Sequence, residues 1–492
     1  MATRLSQRTL ERFGAAGALP GYDRTRLTPG VLHVGVGNFH RAHQAVYLDE
    51  LFALGGDLSW GIVGAGVMPG DAAMRDELAA QDWLYSVTEE DADGQRMRIV
   101  GSLTDFLPVA SGHRPMREAM VDPAIRIVSL TVTEGGYYMD PSKGGFDADH
   151  PDIQADIAHP GQPTTVFGAI VAGLRARRSA GQPPFTVMSC DNIPHNGYVT
   201  REVITGVAQG QDPELAAWIA ANVAFPNAMV DRITPATGAA RRERLERDYG
   251  LTDARPVFCE PFRQWVLEDN FPAGRPVLER VGVQFVTDVA PYELLKLRVL
   301  NGGHATIAYA AGLLDIEYVH DAMADDRVAG FLDAMARHEV LPVVPALPDM
   351  SPSDYLATCQ HRFANPCLGD TVRRLCHDGS GRQPKFIVPT IQENLAANRS
   401  IAGLALESAL WCRYCAGTTD SGAAIEPNDP RWARLNERAL AARSDPSIWL
   451  AMGDVYGDIG SDERFASAFA GWLERLWRDG TDATLRAYLS GS

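Results

Sequence analysis

Seven cysteines in 492 residues, odd in number and scattered from Cys190 to Cys415, do not make a disulfide framework. Cys412-Arg-Tyr-Cys415 sits in a helical-looking stretch with no second ligand pair nearby, so buried thiols are expected there rather than a metal or redox centre. Positive charge is also short. Lys and Arg number 45 against 62 Asp and Glu, a net charge of −17; with no basic run to offset it, this balance opposes a nucleic-acid phosphate partner. Long apolar runs are missing as well. No stretch approaches the ~20 residues that a membrane span requires, and the basic residues near the start are not followed by an apolar segment. A soluble, acidic, cytoplasmic chain with neither membrane nor nucleic-acid partner is expected. Internal repeats and low-complexity linkers are absent too.

What is present changes character part-way along. The length exceeds what a single core usually holds, so at least two domains are expected. Short β-rich runs recur from about residue 30 to 287: Val31–Val36, Trp60–Val63, Ile125–Val132, Phe185–Ser189 and Val281–Val286. Helical segments such as Ala42–Ala53 and Phe167–Arg178 lie between several of them, the pattern of a largely parallel sheet covered on both faces. Beyond Thr287 the pattern is almost wholly helical, with apolar residues at three- and four-residue steps in 322–338, 390–398, 401–415, 431–443 and 467–478. The fold class expected is therefore an α/β Rossmann-like domain over residues 1–286 followed by a mostly α-helical domain over 287–492.

The first strand runs into Gly35-Val-Gly37-Asn38-Phe39-His40-Arg41. Gly35 and Gly37 match the first two glycines of a dinucleotide fingerprint, one for the tight turn and one where a side chain would collide with a pyrophosphate. His40 stands where the third glycine belongs, and a plain strand-turn-helix without ligand remains open. Asp71, beyond the second strand, is a candidate for hydrogen bonding the ribose hydroxyls of NAD; it lies farther from the glycines than the usual ~20 residues, so a solvated loop aspartate is the alternative. Three further loops end in polar residues: Thr133-Glu-Gly-Gly-Tyr137, Cys190-Asp-Asn192-Ile-Pro-His-Asn-Gly197, and Phe225–Pro235 with Asp231 and Arg232 among apolar neighbours. Ligands in open α/β sheets bind at the carboxyl ends of strands, although turn chemistry or a structural Asp/Arg pair would place the same residues there.

The densest cluster is Glu293-Leu-Leu-Lys296-Leu-Arg-Val-Leu-Asn301-Gly-Gly-His304. On a straight α-helix at about 100° per residue, with Lys296 at zero, Glu293 falls at about 60°, His304 at about 80° and Asn301 at about 140°. A base and polar orienters thus share one arc of an otherwise apolar helix. A partly solvated helix with a Glu293/Lys296 pair and a core histidine is the bland alternative.

Read jointly, six segments resemble the polyol-specific long-chain dehydrogenases: Gly35–His43, Thr133–Tyr137, Ser189–Gly197, Phe225–Pro235, Lys296–His304 and Pro384-Lys-Phe386. The resemblance covers nearly the whole chain. It implies an N-terminal Rossmann-like domain, a helical C-terminal domain with a polyol site in the cleft between them, a monomer, NAD as cofactor, and metal-free oxidation of a secondary alcohol to a ketose, with D-mannitol and D-fructose the expected pair. Lys296 matches the family's general base; Asn301 and His304 match its polar partners; Asn192 matches the asparagine at the reacting oxygen. Asp231 and Arg374 match substrate contacts, and Gly35, Gly37, Asn38, Phe39, Arg41 and Asp71 are the cofactor-binding candidates. The chemistry is consistent with this, because a lysine removes a hydroxyl proton near neutral pH only if burial or a nearby cation lowers its pKa from ~10.4 toward ~7–8. Glu293 is a candidate proton relay, or alternatively a partner that keeps Lys296 charged. D-arabinitol, or a uronate such as fructuronate held by Arg374, Arg382 and Lys385, is the alternative substrate.

Overall fold

The structure is a computed structural model that describes residues 2–140 and 144–491; Met1 and Ser492, the outer ends of the two expected domains, lie outside the described residues. The chain divides into two compact units, the first ending at Ala290 and the second starting at Pro291.

The first unit is built on five parallel strands. These are β1 (Pro29–Val34), β2 (Gly61–Ala65), β5 (Leu103–Leu107), β6 (Ile127–Leu130) and β7 (Thr186–Ser189), in the spatial order β7-β6-β1-β2-β5. Alternate residues feed two cores. Val31, Ile62, Ile127 and Met188 pack on one face with α2 (Gln44–Ala53), while Leu32, Val63, Val128 and Val187 pack on the other with α4 (Val166–Ser179) and α5 (Asn196–Gln211). This two-sided burial is why the strands read as continuous apolar runs.

The hairpin β3 (Tyr85–Asp91) and β4 (Gly94–Val100) pairs through β3 with β9 (Val257–Cys259), and β8 (Ala228–Asp231), β10 (Gln264–Glu268) and β11 (Gln284–Val286) form a third sheet. Three expectations need correction here. The run at 281–286 belongs to this small sheet and not to the main one. The segment Phe225–Pro235, expected as a loop, contains a strand, because Asp231 pairs in antiparallel register with Gln264. Asp71 is not in a loop; it opens helix α3 (Asp71–Ala79).

The second unit is helical. A helix starts at Ala290, passes through a π-helical turn over Lys296–Asn301 and continues as Gly302–Leu313; it is labelled α6 throughout. α7 (Pro352–Phe363), α8 (Val372–Leu375) and α9 (Ala402–Cys415) pack against it, and α10 (Glu463–Gly491) packs on α9. Among the described residues no helix is long and apolar enough to cross a membrane.

One buried carboxyl makes this unit sensitive to pH. Glu407 in α9 is fully buried, its Oε1 accepts from Gln383 Nε2 at 2.6 Å, and desolvation pushes it up from an ordinary 4.5 to about 8. Below pH 4.5 the carboxyl is protonated whether the chain is folded or not. Between 4.5 and about 8 only the folded chain keeps the proton, so the stability it contributes is lost as pH rises through that window. The amide of Glu407→Gln stays neutral and still accepts from Gln383. Thermal unfolding should show the variant equal to the parent at pH 4.5 and more stable at pH 8, by on the order of a few kcal/mol; parallel pH profiles for the two proteins would contradict this.

Candidate active site

The turn after β1 is shaped by its two glycines in different ways. Gly35 has φ +94°, and a Cβ there would meet the Thr131 carbonyl oxygen at 2.1 Å. Glycine is required by conformation and by space. Gly37 is exposed, and a Cβ would meet nothing nearer than the Gly35 oxygen at 3.8 Å. Its outer side is thus open, as a backbone approached by a pyrophosphate must be, and the turn fits a dinucleotide.

The residues that follow support the turn from behind. Arg41 is buried over the Tyr85 ring; its guanidinium donates to Asn38 Oδ1 at 2.6 Å and to the Arg255 carbonyl. Phe39 stacks on His43, and His43 Nε2 donates to the Gln264 carbonyl at 2.8 Å. A small, mostly apolar cavity of about 20 Å³, lined by Ile62, Leu267 and Phe285 with His40 and Gln44 among others, lies on this same face of the sheet. It has room for about one water and not for a substrate.

Asp71 folds back on the segment before it. Its Oδ2 accepts from the amides of Val67 and Met68 at 2.8 and 2.9 Å, which leaves Oδ1 outside those bonds. The carboxylate therefore closes the β2–α3 connection as well as standing near its end.

Asn192 is exposed on the loop after β7, and that loop is braced on both sides by residues that sequence reasoning did not single out. Asp191 accepts from the amides of Val132 and Thr133 at 3.0 and 2.8 Å and from the Tyr137 hydroxyl at 2.6 Å. Asn196, fully buried, donates to the carbonyls of Asp191 and Ala228 and accepts from the Ala228 amide. The signal was present as Asp and Asn flanking Asn192, but turn chemistry predicts the same letters.

Asp231 is buried at the end of β8. The neighbouring Arg232 does not form the structural pair with it that the sequence suggested. Its guanidinium, with none of the side chain exposed, meets Glu89 Oε1 at 2.5 Å and donates to the carbonyls of Ala42 at 2.6 Å and Glu260 at 2.9 and 3.0 Å.

In the second unit, Lys296 opens the π-helical turn of α6 and is 7% exposed, as is Glu293 one turn earlier. The Gly302 amide reaches the Leu297 carbonyl, five residues back. That widened turn corrects the straight-helix angles: i to i+5 bonding draws Asn301 back toward the side of Lys296 instead of leaving it about 140° round the axis. Single π turns recur at functional sites, where they re-aim side chains. Arg298, in the same turn, is held by Glu393 and by the Val343 carbonyl.

His304 packs on Phe363 at 4.4 Å between ring centres, and burial, with Arg374 nearby, pushes its imidazole down to about 3. It is a neutral hydrogen-bonding group, not a cation. Arg374 is paired through two nitrogens with Asp370, one turn earlier in sequence. Arg382 donates to the Leu375 carbonyl at 2.8 Å. Lys296, Asn301 and His304 thus share one helix, with Arg374 acting on His304, while Asn192 and Asp231 belong to the first unit.

Residues 29–280 match the family profile described as Mannitol dehydrogenase Rossmann domain, and residues 288–477 match Mannitol dehydrogenase C-terminal domain. The chain is 60% identical over 471 residues to a mannitol 2-dehydrogenase of Cereibacter sphaeroides, covering 96% of this chain and 98% of that one. It is 42% identical to a mannitol 2-dehydrogenase of Phaeosphaeria nodorum, over 96% and 83% of the two chains. Among solved structures, the Pseudomonas fluorescens mannitol 2-dehydrogenase ternary complex with NAD and D-mannitol is similar over 100% of both chains, with 41% identity and a TM-score of 0.87. A D-sorbitol dehydrogenase in substrate-free form is similar over 98% of this chain and 100% of its own, at 35% identity and a TM-score of 0.91.

Proposed function

The chain belongs to the mannitol dehydrogenase family, and on that premise we propose that it is an NAD-dependent polyol dehydrogenase that oxidises D-mannitol to D-fructose, reversibly, with Lys296 as general base. The observation that carries the reading is Lys296 itself, a buried lysine at the head of a π turn that also carries Asn301.

Oxidation of the alcohol removes two groups from one carbinol. NAD, when bound, would supply the hydride acceptor; Gly35, Gly37, Asn38 and Phe39 would hold it at their turn, Arg41 braces that turn, and Asp71, through Oδ1, would hydrogen-bond the ribose. Lys296 Nζ takes the hydroxyl proton. Asn301 and Asn192 donate to the oxygen as it gains negative charge, an interaction worth on the order of 3 kcal/mol in comparable oxyanion sites. The neutral His304 and the Asp231 carboxylate orient neighbouring hydroxyls, with Arg374 as a further contact. Glu293 passes the proton from Lys296 toward water.

The polyol is favoured over a uronate by one observation. A bidentate clamp on a carboxylate uses the fork of an arginine, and Arg374 already spends two nitrogens on Asp370; of the other clamp candidates, Arg382 gives one nitrogen to the Leu375 carbonyl and Lys385 is a point charge without a fork. A panel of D-mannitol, D-arabinitol, D-sorbitol, D-fructose and fructuronate, run with both nicotinamide cofactors, tests the reading. The highest kcat/KM is expected for the mannitol–fructose pair; arabinitol or fructuronate ahead of it would reassign the substrate.

Two further outcomes follow from the same chemistry. Among the described residues no group of three or more His, Cys, Asp or Glu side chains is placed to hold a metal. With Lys296 taking the hydroxyl proton directly, no metal is needed to acidify the alcohol, and activity should survive exhaustive chelation; loss restored by zinc alone would refute a lysine-only mechanism. For the cofactor, a carboxylate at the ribose repels a 2′-phosphate, so NAD should be preferred over NADP by about 10- to 100-fold, about 1.4 kcal/mol per tenfold. Asp71→Ala should narrow that gap chiefly by harming NAD use. Equal kcat/KM for the two cofactors in the parent, or an unchanged ratio in the variant, would show that Asp71 serves only its own loop.

A further inference from the structure

His33 is the side chain that breaks the apolar run of β1, and it is 0% exposed. A polar ring sealed in a parallel sheet is costly unless its nitrogens are satisfied. They are. In register with His33 on the neighbouring strand stands Ser129, whose Oγ lies 2.8 Å from Nδ1. Nε2 lies 2.9 Å from Thr131 Oγ1 and 3.2 Å from the Gly35 carbonyl oxygen.

The bonding pattern determines the tautomer. Thr131 Oγ1 has one proton and donates it to the Gly35 carbonyl at 2.7 Å, so His33 Nε2 is the donor toward Thr131 and Gly35, and Nδ1 accepts from Ser129. Burial pushes the imidazole down to about 3, in keeping with a neutral ring. On the flat side of the ring lies His40, 3.4 Å between centres and 12° from parallel. The residue that displaces the third fingerprint glycine is therefore the stacking partner of His33. Donors converge on the Gly35 carbonyl: the Gly37 amide at 2.7 Å, Thr131 Oγ1 and His33 Nε2. That carbonyl belongs to the residue whose positive φ defines the turn.

We infer that His33, locked by Ser129 and Thr131 and stacked on His40, is a positioning residue for dinucleotide binding: it orients the Gly35 peptide and so sets the backbone over which a pyrophosphate must lie at Gly37. It touches no reacting atom. The inference rests on the NAD reading above, so the experiment separates cofactor binding from turnover.

The full chain is used, with NAD Kd measured by calorimetry in the absence of substrate, alongside kcat and the D-mannitol KM at saturating NAD. His33→Leu removes both polar nitrogens and should raise the NAD Kd about tenfold or more. The effect should fall on Kd, with the mannitol KM and kcat at saturating NAD moving by less than about threefold. His33→Gln, which keeps a donor and an acceptor at similar reach, should recover most of the affinity. Thr131→Val, nearly isosteric, should raise Kd several-fold without lowering Tm, and it decides the matter if His33→Leu does not fold. An unchanged NAD Kd in the Leu and Val variants would overturn the proposal. So would Kd and mannitol KM rising together with a fall in Tm, since that pattern marks a merely structural role. A parent chain that binds no NAD overturns this inference together with the cofactor reading, whereas one that binds NAD without oxidising mannitol refutes only the substrate assignment and leaves the Kd series to decide on His33.

Discussion

Lys296→Ala is expected to lower kcat for D-mannitol oxidation by at least ~10²-fold, the contribution of a positioned acid–base group, while NAD Kd and thermal stability stay near those of the parent. The expectation rests on where the lysine sits. It is 7% exposed at the head of the π turn, so water is a poor substitute for it as a proton acceptor. Alanine is the best helix former, which makes the backbone insensitive to the change, and the lost side chain leaves room for a small primary amine. Added methylamine or ethylamine should therefore restore part of the rate. Glu293→Gln should have a smaller effect, because a relay that hands a proton to water speeds a step that the base has already begun. An alanine variant within threefold of the parent would remove Lys296 from the mechanism and return the segment to the reading of a partly solvated helix with a Glu293/Lys296 pair and a core histidine.

Arg232→Met is expected to destabilise the first unit by about 3–5 kcal/mol, the usual cost of leaving one member of a buried ion pair without its partner. None of the arginine side chain is exposed, and its nitrogens join Glu89, the Glu260 carbonyl and the Ala42 carbonyl. Three separate pieces of chain meet Arg232 just after β8: the β3–β4 hairpin that carries Glu89, the segment just after β9 that carries the Glu260 carbonyl, and the end of the short helix Asn38–Ala42 behind the glycine turn. Methionine fills much of the volume but donates nothing, so two carbonyls and a carboxylate are left desolvated. Thermal melting should show the transition of the first unit falling by on the order of 6–20 °C, at about 2–4 °C per kcal/mol for a domain of this size class. Adding Glu89→Met should recover part of the loss by removing the stranded charge, and a single variant that melts with the parent would mean that the arginine is hydrated or replaceable.

The elements legible in sequence were those whose pattern is local. Strands buried on both faces carry continuous apolar letters, so β1, β2, β6 and β7 could be read directly, as could the switch from strands to helical periodicity in the later part of the chain. The fifth strand, Leu103–Leu107, escaped because Thr104 and Asp105 interrupt its apolar run; it exists by pairing with β2. The strand at Ala228–Asp231 was hidden in a loop-like Pro-Asn context and exists because Gln264–Glu268 pairs with it.

The candidate site divides along the same line. Sequence by itself determined the chemistry on offer: a lysine, two asparagines, a histidine and a glycine turn, in an order specific enough to point to one family. Only the tertiary structure decided how each is presented. A residue inserted into a helix leaves no mark in composition, so the π turn that re-aims Asn301 with respect to Lys296 could not be read from spacing at 100° per residue. Nor could the partners of Asp71, Arg232 and Arg374, each of which a charge pattern leaves free to meet a ligand. In the folded chain, Asp71 closes its own connection, Arg232 pairs with Glu89 from a strand far away in sequence, and Arg374 is engaged by Asp370. A charged or polar side chain placed away from water must find its partner in whatever the fold brings near, and for Arg232 and for His33 those partners, at sequence distances of 143 and 96 residues, are set by strand pairing and not by neighbouring letters.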